Sequence, residues 1–215
     1  MLLMRTYAYI DASNLFYGGK KSLGWSVDFQ KLFKYLQDRF EVSNVYYFGG
    51  VEIHKFPFDY LTNDTVSLKN LEKYLVDYTE KNKKDLTSAM LVLLDRHLKQ
   101  VRFYQKLERF GFQLILKPVK MYEDEEGNQK RKANCDVEMA FYMMRDKNAF
   151  ERVVILSGDG DFLPVLKHLR EVAKKEVLVL SRGPRTAKEI KRFAGDKFMD
   201  LTNNNLREKL ERVDL

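Results

Sequence analysis

The chain has 215 residues, 45% of them apolar and 32% charged; it is long enough for one folded core and too apolar to be disordered. Thirty-eight Lys and Arg against thirty-one Asp and Glu leave a net charge of +7, which suits a polyanionic partner but also serves ordinary solubility. A single cysteine, Cys135, excludes an internal disulfide, and three histidines (His54, His97, His168) without paired Cys or His spacing give no support for zinc.

Met1 to Arg5 is too short an apolar run for a signal peptide or membrane span, so a reducing cytoplasmic location and no membrane partner are expected. Tyr7-Ala8-Tyr9-Ile10 reads as the middle of a strand from Thr6 to Asp11, running into Asp11-Ala12-Ser13-Asn14. A carboxylate therefore stands where the strand ends. Leu32, Phe33, Leu36 and Phe40 share one stripe and predict a helix from Asp28 to Phe40. Val42 to Phe48 reads as a strand ending at Gly49-Gly50. The segment Val51 to His97 is longer than an ordinary connection. Leu68, Leu71, Leu75 and Tyr78 form one stripe in it, and Met90, Leu91, Leu94 and Leu98 another, which predicts an inserted helical hairpin. Its simplest role is to extend the core; shielding the active rim and making a homodimer contact are the other roles open to it. A helix from Leu98 to Phe110, closed by Gly111, and a strand from Phe112 to Val119 follow.

Met121 to Lys132 begins acidic, turns at Gly127-Asn128 and ends in Lys130, Arg131 and Lys132. Those three cations either meet a nucleic-acid backbone or pair with the acidic arm. Asn134 is the expected N-cap of a helix to Lys147, with Asp136 in its first turn, where a carboxylate also complements the helix dipole. Arg152 to Leu156 reads as a buried strand. It hands over through Ser157-Gly158-Asp159-Gly160-Asp161 to a helix from Phe162 to Ala173, with Pro164 in the first turn. A strand from Glu176 to Leu180 leads to Ser181-Arg182-Gly183-Pro184, and a helix from about Arg185 leads to Phe198-Met199-Asp200-Leu201. Alternation of this kind predicts an α/β fold with a parallel sheet covered on both faces.

Asp159 and Asp161 lie at a strand-to-helix edge, where open α/β sheets place ligands. Carboxylates two residues apart either cap a turn or need a cation or proton to relieve their repulsion. An EF-hand loop starting at Asp159 is excluded, because Leu163 and Pro164 occupy positions that need an oxygen ligand and a glycine. Asp11, Asp136 and the Asp159–Asp161 pair give three acidic sites expected on one rim. All-oxygen donors suit a hard cation such as Mg2+ or Mn2+.

In order and context, three motifs resemble the NYN domains, LabA-like relatives of the PIN-domain nucleases. They are strand-Asp11-x-x-Asn14, Lys132-x-Asn134-x-Asp136-Val137, and Ser157-Gly158-Asp159-Gly160-Asp161-Phe162. The resemblance spans roughly Arg5 to Leu201. It implies a PIN-like, Rossmann-like parallel sheet flanked by helices, with acidic residues gathered at the carboxyl ends of the strands. The expected organisation is one domain over residues 1–201, with the helical insertion at about 51–97, and a helical tail over 202–215. The resemblance also implies metal-dependent RNA cleavage, with Asp11, Asp136, Asp159 and Asp161 as catalytic metal ligands and Asn14 and Ser157 as supporting residues. In one respect the chain departs from the pattern: many relatives carry another Asp six residues after the position of Asp136, and here that residue is Tyr142. Glu138 is a poor substitute, since two residues along a helix point about 200° apart.

The chemistry expected is hydrolysis of RNA phosphodiesters, single-stranded RNA being the favoured substrate, with Ser181 and Arg182 as further candidates for phosphate contact. A catalytically weak or inactive RNA-binding module of the same fold is the alternative, and Tyr142 keeps it open. A phosphatase with an Asp nucleophile commonly uses Asp-x-Asp after the first strand, whereas this chain has Asp11-Ala12-Ser13-Asn14.

Overall fold

The computed structural model describes residues 4–16, 24–123 and 129–212, with residues 16, 122, 123 and 129–132 described in backbone only. The strands are β1 (Thr6–Asp11), β2 (Val42–Val51), β3 (Gln113–Pro118), β4 (Lys120–Glu123), β5 (Gln129–Lys132), β6 (Arg152–Leu156), β7 (Glu176–Ser181) and β8 (Phe198–Asp200). The helices are α1 (Ala12–Phe16), α2 (Phe29–Phe40), α3 (Leu68–Asn82), α4 (Ser88–Phe110), α5 (Asp136–Arg145), α6 (Leu163–Lys167), α7 (Lys188–Ala194) and α8 (Asn204–Leu210). Six strands form one sheet in the order β3-β2-β1-β6-β7-β8, and β4 and β5 form a separate hairpin. β1 pairs in parallel with β2 and with β6, β6 with β7, and β7 with β8. The carboxyl ends of these strands therefore share one edge.

The chain divides into two compact units. The first holds Met1–Phe48, Phe110–Gln113 and Cys135–Leu215. Its central strands read as continuous apolar runs because both of their faces are covered. Ala8, Tyr9 and Ile10 of β1 and Val153 to Leu156 of β6 are wholly buried. Tyr9 is polar only at its tip, and its hydroxyl donates to Asp146 Oδ2 at 3.2 Å. Burial, with Asp146 beside it, pushes this phenol above its ordinary range.

Asp28 starts α2 by accepting from the Gln30 and Lys31 backbone N–H groups, and Leu32, Leu36 and Phe40 form its buried face. The helix stops at Glu41, which takes a left-handed conformation (φ 56°). At the other end of the chain α8 packs on α2. The Asp28 N–H donates to the Leu210 carbonyl, and the Arg212 N–H to that of Ser26, each at 2.8 Å.

The second unit holds Gly49–Arg109 and Leu114–Asn134. The predicted helical hairpin is present as α3 and α4. The second predicted stripe and the predicted helix from Leu98 form one 23-residue helix, because no breaker separates them. β2 continues through Gly49-Gly50 to Val51 instead of ending at Phe48. Gly50 serves close packing here and not a turn, since a Cβ would collide with that of Ala133 and come within 3.0 Å of Val119 Cγ2. The β4–β5 hairpin sets Lys120 opposite Lys132, Met121 opposite Arg131 and Tyr122 opposite Lys130.

Three other boundaries differ from expectation. α5 begins at Asp136 with Cys135 at the cap position, in place of Asn134, and the Cys135 side chain makes no capping hydrogen bond. The helix expected over 162–173 is a 3-10 turn (Gly160–Phe162), then α6, then a wider π turn (His168–Val172). α7 starts at Lys188, not near Arg185, because Gly183–Arg185 forms its own 3-10 turn.

Candidate active site

The carboxyl ends of β1, β6 and β7 carry a connected set of polar groups. Asp11 ends β1 and caps the short α1: its Oδ1 accepts from the Ser13 hydroxyl at 2.7 Å and the Asn14 N–H at 3.0 Å. Its Oδ2 accepts from the Ser157 hydroxyl at 2.9 Å. Asp11 is only 5% exposed, and these three donors stabilise a buried charge that would otherwise be costly.

Asn14, in α1, makes a second bridge, to the loop that follows β6. Its Oδ1 accepts from the Gly158 N–H at 2.9 Å. Gly158 admits no side chain, because a Cβ would come within 2.6 Å of Ser181 Oγ and 2.9 Å of Thr186 Cα. Its carbonyl accepts from the Ala187 N–H at 2.9 Å, which ties the loop after β6 to the start of α7.

Asp159 also caps a turn, its Oδ1 accepting from the Asp161 N–H at 3.0 Å, while its own N–H donates to Ser157 Oγ at 3.2 Å. Its second oxygen takes no hydrogen bond among the described residues. Asp159 is half-buried, and Asp161 is exposed. Capping and ligand binding are compatible at Asp159, since one oxygen does the first and leaves the other open.

Asp136 is the first residue of α5 and half-buried. α5 leads into the amino end of β6, so it runs against the strands and its N-terminus lies toward the carboxyl edge. Six residues on, Tyr142 packs across Tyr46 and Phe48, with ring centroids 5.6 and 5.5 Å away, and the Arg145 guanidinium covers its ring at 3.8 Å. An aromatic side chain thus fills the position where the family resemblance leads one to expect an Asp.

Ser181 and Arg182 are buried and engaged within the protein. The Arg182 guanidinium donates to the Asn14 carbonyl. Burial, with Arg185 nearby, holds this guanidinium below its ordinary range. The Thr186 hydroxyl lies 2.7 Å from the Arg182 carbonyl and 3.0 Å from Ser181 Oγ. A carbonyl can only accept, so the single Thr186 proton goes there and Ser181 donates to Thr186. Asp200 closes this side, accepting from the Gly183 N–H at 2.8 Å and from the Thr202 N–H and hydroxyl at 2.8 and 2.7 Å. Burial alone would raise the Asp200 carboxyl, but these bonds outweigh it and hold the group below the usual carboxylate range.

Sequence reasoning missed Ser13, Thr186 and the Gly158 N–H as members of this network. Ser13 had a signal, since Asp-x-Ser-Asn after a strand is a capping pattern. Thr186 had none. The side chains of Lys130, Arg131 and Lys132 lie outside the described residues.

The donor set is all oxygen, which fits a magnesium-type ion. Such an ion needs only one or two carboxylates, with water and substrate phosphate completing the shell. Among the described residues no three His, Cys, Asp or Glu side chains meet closely enough to hold a metal by themselves. None of the described helices is long and apolar enough to cross a membrane.

The NYN domain family profile matches residues 75–202. Low amplitude and bright protein LabA of Synechococcus elongatus is 25% identical over 214 residues, covering 98% of this chain and 89% of that protein. In the solved structure of VPA0982, a protein of unknown function from Vibrio parahaemolyticus, the fold agrees with a TM-score of 0.59 at 17% identity, over 94% of each chain. T5 D15 protein co-crystallised with metal ions matches at a TM-score of 0.44 and 16% identity, over 87% of this chain and 59% of that one, too distant to bear on function.

Proposed function

This chain belongs to the NYN domain family, and from that premise we propose that it is a ribonuclease that hydrolyses phosphodiester bonds of single-stranded RNA with Mg2+ or Mn2+. The observation that carries the reading is the acidic edge itself. Asp11 is fixed by Ser157 across adjacent parallel strands, with Asp159 and Asp161 following directly on the same edge. Asp11, Asp136, Asp159 and Asp161 would hold the metal. When bound, it would neutralise charge on the scissile phosphate and lower the pKa of the attacking water. Asn14 and Ser157 act by position, since their bonds fix the Gly158 loop and the Asp11 carboxylate. Ser181 and Arg182 likewise support the rim from within, while exposed Arg185 in the next turn is better placed to meet a phosphate. The basic balance of the chain favours a polyanion.

A second reading, an RNA-binding module that cleaves weakly or not at all, is favoured by Tyr142 and its packing on Tyr46 and Phe48. The test titrates Mg2+ and Mn2+ into the protein with end-labelled single-stranded RNA and follows binding and product together. Metal-dependent product supports the ribonuclease; saturable binding without product assigns the binding module.

A further inference from the structure

α2 and α8 meet over an open surface cavity of about 390 Å³ that the site above does not use. Lys31, Lys34, Tyr35, Asp38 and Arg39 of α2 and Lys209 of α8 line it. α2 returns from the carboxyl edge of the sheet to the start of β2, so Asp38 and Arg39 lie toward the opposite edge from Asp11 and Asp159.

Charge in this cavity is unbalanced. Among the described residues, four cations line it and one carboxylate, Asp38, which pairs with Lys34 at 3.5 Å. Glu211, just past the end of α8, is held by Arg207 at 2.9 Å. Lys31 Nζ donates to the Glu211 carbonyl at 2.8 Å, which anchors the ammonium without neutralising it. Like charges from opposite ends of the chain thus converge where α8 docks, an arrangement that an anion would relieve.

The cavity is also shaped for more than a bare ion. Most of its lining is apolar, and the Tyr35 ring and the lysine stems are among the groups that line it. Tyr35 stands perpendicular to Phe40 with centroids 5.8 Å apart, and the Arg39 guanidinium lies 5.9 Å from the centroid of the same Phe40 ring, which places the ring and the guanidinium side by side. A guanidinium fork beside ammonium groups recognises phosphate, and the volume falls in the range of small-ligand pockets.

We propose that this cavity binds a phosphate-bearing aromatic ligand of mononucleotide size, its phosphoryl group held by Lys34, Arg39 and Lys209 and its ring resting on Tyr35. Binding couples to docking of the C-terminal helix, because Lys209 comes from α8 and the other two cations from α2. The proposal does not depend on the nuclease reading.

The test uses the full chain, free of divalent metal, with AMP, adenosine and inorganic phosphate as probes at fixed ionic strength. Calorimetry and the thermal midpoint are the readouts. AMP is expected to saturate one site and raise the midpoint, phosphate to bind at least tenfold more weakly, and adenosine not to bind. Lys209→Glu and, separately, Arg39→Gln should each weaken AMP at least tenfold, and Tyr35→Leu should reduce AMP to the affinity of phosphate. Arg39→Gln leaves α8 untouched, so the outcome stands even where Lys209→Glu undocks that helix. Folded wild type that does not bind AMP, or AMP affinity unchanged in both cation variants, overturns the proposal. So does equal binding of AMP and phosphate with no effect of Tyr35→Leu. Weakened RNA binding in the same variants without AMP binding would give the cavity to an RNA phosphate and also overturn it. AMP binding by Asp159→Asn protein separates this result from any failure of the nuclease reading.

Discussion

Ser157 Oγ donates to Asp11 Oδ2 at 2.9 Å, joining residues 146 positions apart at the carboxyl ends of β6 and β1. Both groups are almost fully buried. Ser157→Ala therefore strands one oxygen of a buried carboxylate and removes the acceptor for the Asp159 N–H. The expected cost is about 2 kcal/mol of unfolding free energy, measured by urea denaturation. A variant as stable as wild type would show that this bond does not hold the edge together.

Gly158→Ala tests the packing of the same loop. A methyl group there meets Ser181 Oγ, Thr186 Oγ1 and the Thr186 backbone, all inside 3.0 Å. Backbone cannot yield as a flexible side chain can, so a loss of about 2 kcal/mol is expected, or roughly 4–8 °C in thermal midpoint. Cleavage should fall with it, since the Gly158 N–H bonded to Asn14 moves. An unchanged midpoint would mean that the loop has room.

Asp200 gives a pH-dependent prediction. Its folded pKa lies below the ordinary value of 3.8 because bonds from Gly183 and Thr202 outweigh burial. A depressed carboxylate contributes stability that is present above its unfolded pKa and lost as pH falls through the folded value. As pH falls below about 4, the wild type should lose stability faster than Asp200→Asn. Parallel acid limbs in denaturation of the two proteins would contradict this.

The sheet was legible in the sequence because its central strands are buried on both faces, and four-residue apolar runs such as Val153 to Leu156 have few other readings. The place of Asp11, Asp159 and Asp161 at that edge was legible because Asp11 ends one such run and the other two lie within five residues of the end of another. Helix starts were less so. Asn134 looked like a cap but Cys135 takes that position, and residues 162–172 change hydrogen-bonding pattern twice without any change in apolar spacing. The inward roles of Ser181 and Arg182 had no sequence signal, because they depend on Thr186 and Asn14 being brought alongside by the fold.

Replacing Lys130, Arg131 and Lys132 together with Ala should weaken RNA binding about equally for unrelated sequences. It should also flatten the dependence of affinity on salt, since each phosphate that is no longer neutralised takes about one counterion out of the slope. A filter-binding series from low to high salt measures both. An unchanged slope would take this arm out of the binding surface.

Asp159→Asn bears most directly on the central claim. Asn keeps the size and can still cap the turn at Asp161, but it removes the negative charge that would balance a divalent cation. The measurement is single-stranded RNA cleavage in Mg2+ and in Mn2+, alongside RNA binding and the thermal midpoint of the metal-free protein. The account predicts that cleavage is lost in both metals while RNA binding and the midpoint stay near wild type. Wild-type cleavage by a well-folded Asp159→Asn protein would contradict it.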